Sequence, residues 1–158
     1  MNPLESYKRQ LAHSGFVRDP AQERAVAILQ EIYDELTGEP APPPGLISRM
    51  LGKKAKPEPV NGLYLWGGVG RGKTLIVDEF FDCLPFEAKK RSHFHRFMNS
   101  VHGQLKDLRH LQDPLVEIAK KFSRKIRVLC FDEFIVNDIA DAMILAGLLT
   151  VSYTHLRA

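Results

Sequence analysis

Gly67-Gly68-Val69-Gly70-Arg71-Gly72-Lys73-Thr74 fills the spacing G-x-x-x-x-G-K-[ST] at every position. A triphosphate carries several negative charges, and a loop wrapped round it must turn tightly with its N–H groups directed inward. Glycine permits the positive φ angles and the close backbone approach that this requires. A helix starting near Lys73 adds its N-terminal dipole and free amides to the same anion site. Lys73 then supplies a point charge to the β- and γ-phosphates, and Thr74 offers a hydroxyl to Mg²⁺. The plainer reading is a glycine-rich turn with an exposed lysine. It leaves unexplained the apolar run before the motif and the helical pattern after it.

A second group of residues has matching chemistry. Val128-Leu129-Cys130-Phe131-Asp132-Glu133 is an apolar run that ends in two carboxylates. An acid at such a strand end holds Mg²⁺ in nucleotide-hydrolysing proteins, and Asp132 fits that role through a metal-bound water. Glu133 is placed to polarise an attacking water as general base. An apolar run followed by Asp-Glu is a weak signal alone and a strong one downstream of a complete phosphate loop. Phosphoryl transfer to water needs a group that orients the water, so ATP hydrolysis with Mg²⁺ is the favoured chemistry. Two other readings stay open: a nucleotide-binding module that does not hydrolyse, and a kinase that requires an acceptor. The preference for ATP over GTP is not legible.

The elements that must position these residues follow from local patterns. Asp19 is a good N-cap, Pro20 suits the first helical position, and Gln22 is placed for a capping box. Ala21, Ala25, Ile28, Leu29, Ile32 and Leu36 recur at helical spacing, and Gly38 ends that helix. Residues 1–38 therefore form an N-terminal helical segment. Residues 39–61 hold six prolines and read as linker, with a short helix around Leu46–Leu51. Beyond it, Gly62–Trp66 reads as a buried strand, Lys73–Cys83 as a helix, Ser92–Phe97 as a strand and Met98–Leu111 as a helix. Pro114–Phe122 then reads as a helix, Ile126–Phe131 as a strand and Asn137–Leu149 as an apolar helix. Strands separated by helices imply parallel pairing. The expected fold is α/β, an incomplete three-layer sandwich with a parallel sheet whose P-loop core spans 62–149.

Composition excludes several classes. No stretch approaches the roughly 18 apolar residues that cross a bilayer, and the N-terminus has neither an apolar run nor the pattern of a transit peptide. The expected address is the cytoplasm. A net charge of +3 is too small to argue for nucleic acid, and Lys53, Lys54 and Lys56 beside two prolines read as solvated linker. Cys83 and Cys130 lack the spacing of a metal or disulfide pair, and Cys130 reads as a small core residue.

Taken together, Gly62–Gly67, the phosphate loop, Phe80-Phe81-Asp82, His93-Phe94-His95-Arg96-Phe97-Met98, His102, Val128–Glu133 and Asp138–Leu145 resemble the ZapE-type cell-division ATPases, a branch of the AAA-like ATPases. Asp19-Pro20-Ala21-Gln22 is similar to that family's entry helix. The resemblance implies a bacterial cytoplasmic ATPase that supports cell division and acts on a tubulin-like division-ring protein, with mitochondrial relatives in protein quality control. It also implies ring-like homo-oligomers. His93 and His95, two apart on the expected strand, face one side and read as a metal pair or as structural or inter-subunit contacts. Arg71 and Arg96 read as phosphate contacts or as exposed salt-bridging residues. Residues 150–158 do not resemble the family and read as foreign sequence. The chain is accordingly expected to represent an N-terminal part, without the family's later sensor residue and arginine finger.

Overall fold

The computed structural model of the protein describes residues 1–13, 18–38, 60–68 and 70–155. Most of the proline-rich linker, with its expected helix near residues 46–51 and its lysine cluster, lies outside these residues, as do Val69 and residues 156–158. The chain divides into two units, Met1–Pro85 and Phe86–Ala158.

The first unit is helical. It opens on a helix absent from the expectations, α1 (Pro3–His13). Asn2 and Glu5 form a reciprocal capping box: Glu5 N–H donates to Asn2 Oδ1 at 2.8 Å and Asn2 N–H to Glu5 Oε2 at 3.1 Å. Helix α2 (Pro20–Thr37) starts as expected, with Asp19 accepting from Ala21 N–H at 2.8 Å. Gln22 does not complete a box there, because its side chain turns to the phosphate loop instead. The buried face of α2 is Ala25, Val26 and Leu29, while Ile28 stays exposed, so the stripe is rotated from the expected one. Helix α3 (Lys73–Cys83) buries Ile76 and Phe80. Glu79 on α3 accepts from Ser6 and Gln10 of α1, which ties the two helices together.

Gly62–Trp66 is not the buried strand that its composition predicts. It belongs to no regular element, and Tyr64 and Trp66 are 64% and 83% exposed. A strand is stable only when a neighbour takes up its N–H and C=O groups, and the described residues of this unit contain no other strand.

The second unit is built on β1 (Lys89–His93) and β2 (Val128–Asp132), which pair in parallel with Arg91 opposite Cys130 and His93 opposite Asp132. Between them run α4 (Phe94–Asp107) and α5 (Pro114–Lys125), and α6 (Ile139–His155) follows. The result is an open two-stranded parallel sheet with helices, consistent with the expected incomplete α/β fold. Here the expected strand at Ser92–Phe97 is corrected. Phe94, Phe97, Met98 and Val101 share one face at i, i+3, i+4, i+7 spacing, and all are buried, so a helix satisfies them better than a strand. The strand lies earlier, on the charged Lys89-Lys90-Arg91. Its side chains find partners: Lys90 Nζ sits 5.8 Å from the Phe122 ring centroid, and Arg91 pairs with Asp132.

The core joins those four residues to Ile118, Ala119, Leu145 and Leu148. Each large apolar side chain removed from water contributes about 1.5–3 kcal/mol, so this cluster is the main support of the unit. Helix α6 is capped by Asp138, whose Oδ1 accepts from Ala140 N–H at 2.7 Å. It continues through residues 150–155.

Candidate functional site

The phosphate loop has the backbone its glycines were expected to supply. Gly67, Gly70 and Gly72 take φ values of 136°, 81° and 75°, a region in which a Cβ is strained. Gly72 is the N-cap of α3, and Ile76 N–H donates to Gly72 O at 3.1 Å, so the helix begins at Lys73 as the anion-binding geometry requires. Lys73 Nζ folds back over the loop and donates to the carbonyls of Gly67 (2.8 Å) and Gly68 (2.6 Å). An ammonium has three donors and no acceptor, so a phosphate oxygen is a natural further or competing partner. Thr74 stands exposed in the first turn of α3.

Residues of α1 and α2 hold this loop, and the sequence did not reveal that contact. Gln22 Nε2 donates to Arg71 O at 3.0 Å, Tyr7 OH donates to Gln22 Oε1 at 3.3 Å, and Arg71 Nη2 approaches Asp19 Oδ2 at 3.3 Å. The Ala21 N–H and then the Arg71 guanidinium hold the Asp19 carboxyl below its usual range. Arg71 is therefore an ion-pairing residue here, the plainer of its two readings.

In the second unit, Asp132 is the last residue of β2, which runs Val128–Asp132 rather than the expected 126–131, and Glu133 follows it. Asp132 is held by Arg91 through both oxygens, Nε to Oδ2 at 2.7 Å and Nη2 to Oδ1 at 2.9 Å. The Arg91 hydrogen bonds keep its carboxyl below the ordinary range, against the opposing effect of partial burial. A carboxylate offers about four lone-pair sites, so the bidentate arginine leaves acceptor capacity for a metal-bound water. Glu133 has φ 51°, in the left-handed region that non-glycine residues seldom occupy. That backbone conformation costs on the order of 1–3 kcal/mol, and such conformations cluster at functional sites. On either side of the acids, Phe131 and Phe134 pin the turn: Phe131 packs edge-on to Phe94 at 5.7 Å and to Phe97 at 4.9 Å, and Phe134 lies 4.8 Å from Phe94.

The Arg91–Asp132 pair makes a pH prediction. A carboxyl whose folded pKa is depressed contributes stability above its unfolded value of about 3.9 and loses it as pH falls through the folded value. Asp132→Asn should therefore lower stability at pH 7 by about 1–3 kcal/mol, with the deficit shrinking below about pH 4. Urea denaturation at pH 7 and pH 3 measures this. An equal deficit at both values would show that the ion pair is not its source.

The histidines do not share a strand face. His93 ends β1 and His95 lies in α4, so they no longer alternate on one strand face. His93 Nδ1 is 3.8 Å from Glu133 Oε2, an exposed contact of little energetic weight. No cluster of three or more His, Cys, Asp or Glu side chains suited to a metal occurs among the described residues. His102 instead bonds Asp141 across α4 and α6, Nε2 to Oδ1 at 2.6 Å. Among the described residues no helix is long and apolar enough to cross a membrane.

A sequence model of the AFG1-like ATPases matches residues 1–154. The chain belongs to the AFG1-like ATPase family. It is 46% identical over 163 aligned positions to the cell division protein ZapE of Escherichia coli, covering 98% of this chain and 44% of that protein. A Schizosaccharomyces pombe protein described as uncharacterised is 34% identical, over 92% of this chain and 39% of its own length. The lactation elevated protein 1 homolog B of Danio rerio is 38% identical over 61% of this chain. The chain thus spans less than half the length of the curated relatives it matches. No solved structure matches it. The AFG1-like match includes residues 150–154, which also continue helix α6.

Proposed function

We propose that this chain carries the nucleotide-binding part of an Mg²⁺-dependent ATPase that works in bacterial cell division, as the name of its E. coli relative suggests. The observation that carries the reading is the phosphate loop itself. Three glycines stand at positive φ, a helix starts at Lys73, and the Lys73 ammonium lies over the loop carbonyls. Gly67, Gly68, Val69, Gly70, Arg71 and Gly72 supply backbone to the phosphates, and Lys73 supplies the charge. Thr74 and Asp132 are the residues fitted to Mg²⁺, which offsets charge on the phosphates when bound. Glu133 is the general base that orients water. A cytoplasmic location, a division-ring protein as partner and assembly into homo-oligomers belong to the same reading.

A second reading, nucleotide binding without hydrolysis, is favoured by one observation. Both oxygens of Asp132 are engaged by Arg91, which leaves fewer of its lone pairs for the metal-bound water that hydrolysis would require. Calorimetric titration with Mg²⁺-ATP, followed by a phosphate-release assay on the same sample, separates the two. Binding with steady release supports the ATPase. Binding with no release at any protein concentration supports the second reading, and no binding overturns both.

A further inference from the structure

We propose that Gln22, oriented by Tyr7, is a positioning residue of the phosphate loop, so that the two N-terminal helices set nucleotide affinity. The proposal rests on the phosphate-loop reading above.

Half of the loop, Gly67, Gly68, Gly70 and Gly72, is glycine. Glycine gives the loop its shape but resists being held in it, since it loses the most conformational freedom on ordering. An anion that must order its own loop binds more weakly than one that meets the loop already formed. Something outside the loop should therefore restrain it, and the Gln22 amide is in place to do so.

Gln22 Nε2 donates to the Arg71 carbonyl at 3.0 Å. In a planar trans peptide the N–H of the next residue points opposite to that carbonyl. Holding Arg71 O toward Gln22 thus turns the Gly72 N–H to the other side. A flip of this peptide would replace that donor with a carbonyl oxygen, which repels phosphate. Two further observations make the restraint specific. A Cβ on Gly72 would lie 2.8 Å from Gln22 Nε2, so the amide packs directly against the turn that starts α3. The orientation of the amide is itself fixed, because its Oε1 accepts from the hydroxyl of Tyr7, a residue only 7% exposed. Asp19, one turn earlier, holds the Arg71 side chain from the same helix. That ion pair is largely exposed and contributes less.

The test is the affinity of the full chain for a fluorescent N-methylanthraniloyl ATP with Mg²⁺, at a temperature where each variant is fully folded. Gln22→Glu keeps the length of the side chain and removes the donor. It should raise Kd about tenfold, the loss of one hydrogen bond with a carboxylate now facing a carbonyl. Tyr7→Phe leaves the ring in its pocket, removes the orienting hydroxyl and should raise Kd about threefold. It keeps the question answerable if the first variant folds poorly. A merely structural role would lower the melting temperature and leave Kd of the folded protein unchanged. Kd within twofold of wild type for Tyr7→Phe and for a folded Gln22→Glu, with Lys73→Ala still weakening binding by roughly a hundredfold or more, overturns the positioning role alone. Unchanged affinity in Lys73→Ala overturns the phosphate-loop reading and this proposal with it.

Discussion

Replacing Lys73 by alanine is expected to weaken Mg²⁺-ATP binding by roughly a hundredfold or more, while leaving the fold intact. The ammonium now donates to the carbonyls of Gly67 and Gly68, so it already lies over the loop that would receive the phosphates. Hydrogen bonds to a charged group are worth about 1.5–3 kcal/mol each, and every 1.4 kcal/mol is about tenfold in affinity. Two such bonds to a triphosphate account for the expected loss. Ile76 and Phe80 seat α3 independently of the lysine, so the melting temperature without nucleotide should change little. Isothermal titration of wild type and variant measures the effect. An affinity within threefold of wild type would remove the phosphate loop from consideration as the nucleotide site.

Glu133→Gln separates binding from chemistry. The amide has nearly the shape of the carboxylate and follows the same backbone, so the left-handed turn at φ 51° is disturbed no more than by glutamate itself. What disappears is the ability to take a proton from water. A positioned general base contributes about 10²–10⁴-fold to rate, and turnover should fall by that factor with nucleotide affinity retained. Single-turnover phosphate release is the measurement. Turnover equal to wild type would assign the water-orienting role to another residue. The aromatic contacts of Phe131 and Phe134 hold the turn from both sides, so a loss of rate in this variant would not reflect a displaced strand end.

Contiguous patterns were the legible part of this protein. The Asp19 cap of α2 and the helix starting at Lys73 each depend on neighbours in sequence, and the structure places them where the residues predict. The strand before Glu133 is also present, two residues later at its start and one at its end than expected. Helix α1 was also written locally, in the Asn2-Pro3-Leu4-Glu5 capping box, although its apolar stripe is too short to draw notice. The boundary between β1 and α4 was misplaced because His93 and His95 suggest a period of two. The buried set Phe94, Phe97, Met98 and Val101 has the period of a helix.

The sequence by itself determined the chemical groups available: a glycine-rich loop with phosphate-binding spacing, a lysine and a hydroxyl beside it, and two consecutive acids, the first of them ending a strand. Glycine, lysine and carboxylate have intrinsic properties that no surroundings need confer. Tertiary structure alone decided which partners those groups meet. It brought Gln22 to the Arg71 carbonyl across an intervening stretch of chain, and it set Arg91 of β1 against Asp132 of β2 through a register that neither strand encodes. It also left Tyr64 and Trp66 exposed where their composition favours burial. The reason is common to all three. Hydrogen bonding and burial are satisfied by whichever groups the packed helices and paired strands bring within reach, and that proximity arises only once distant segments have come together.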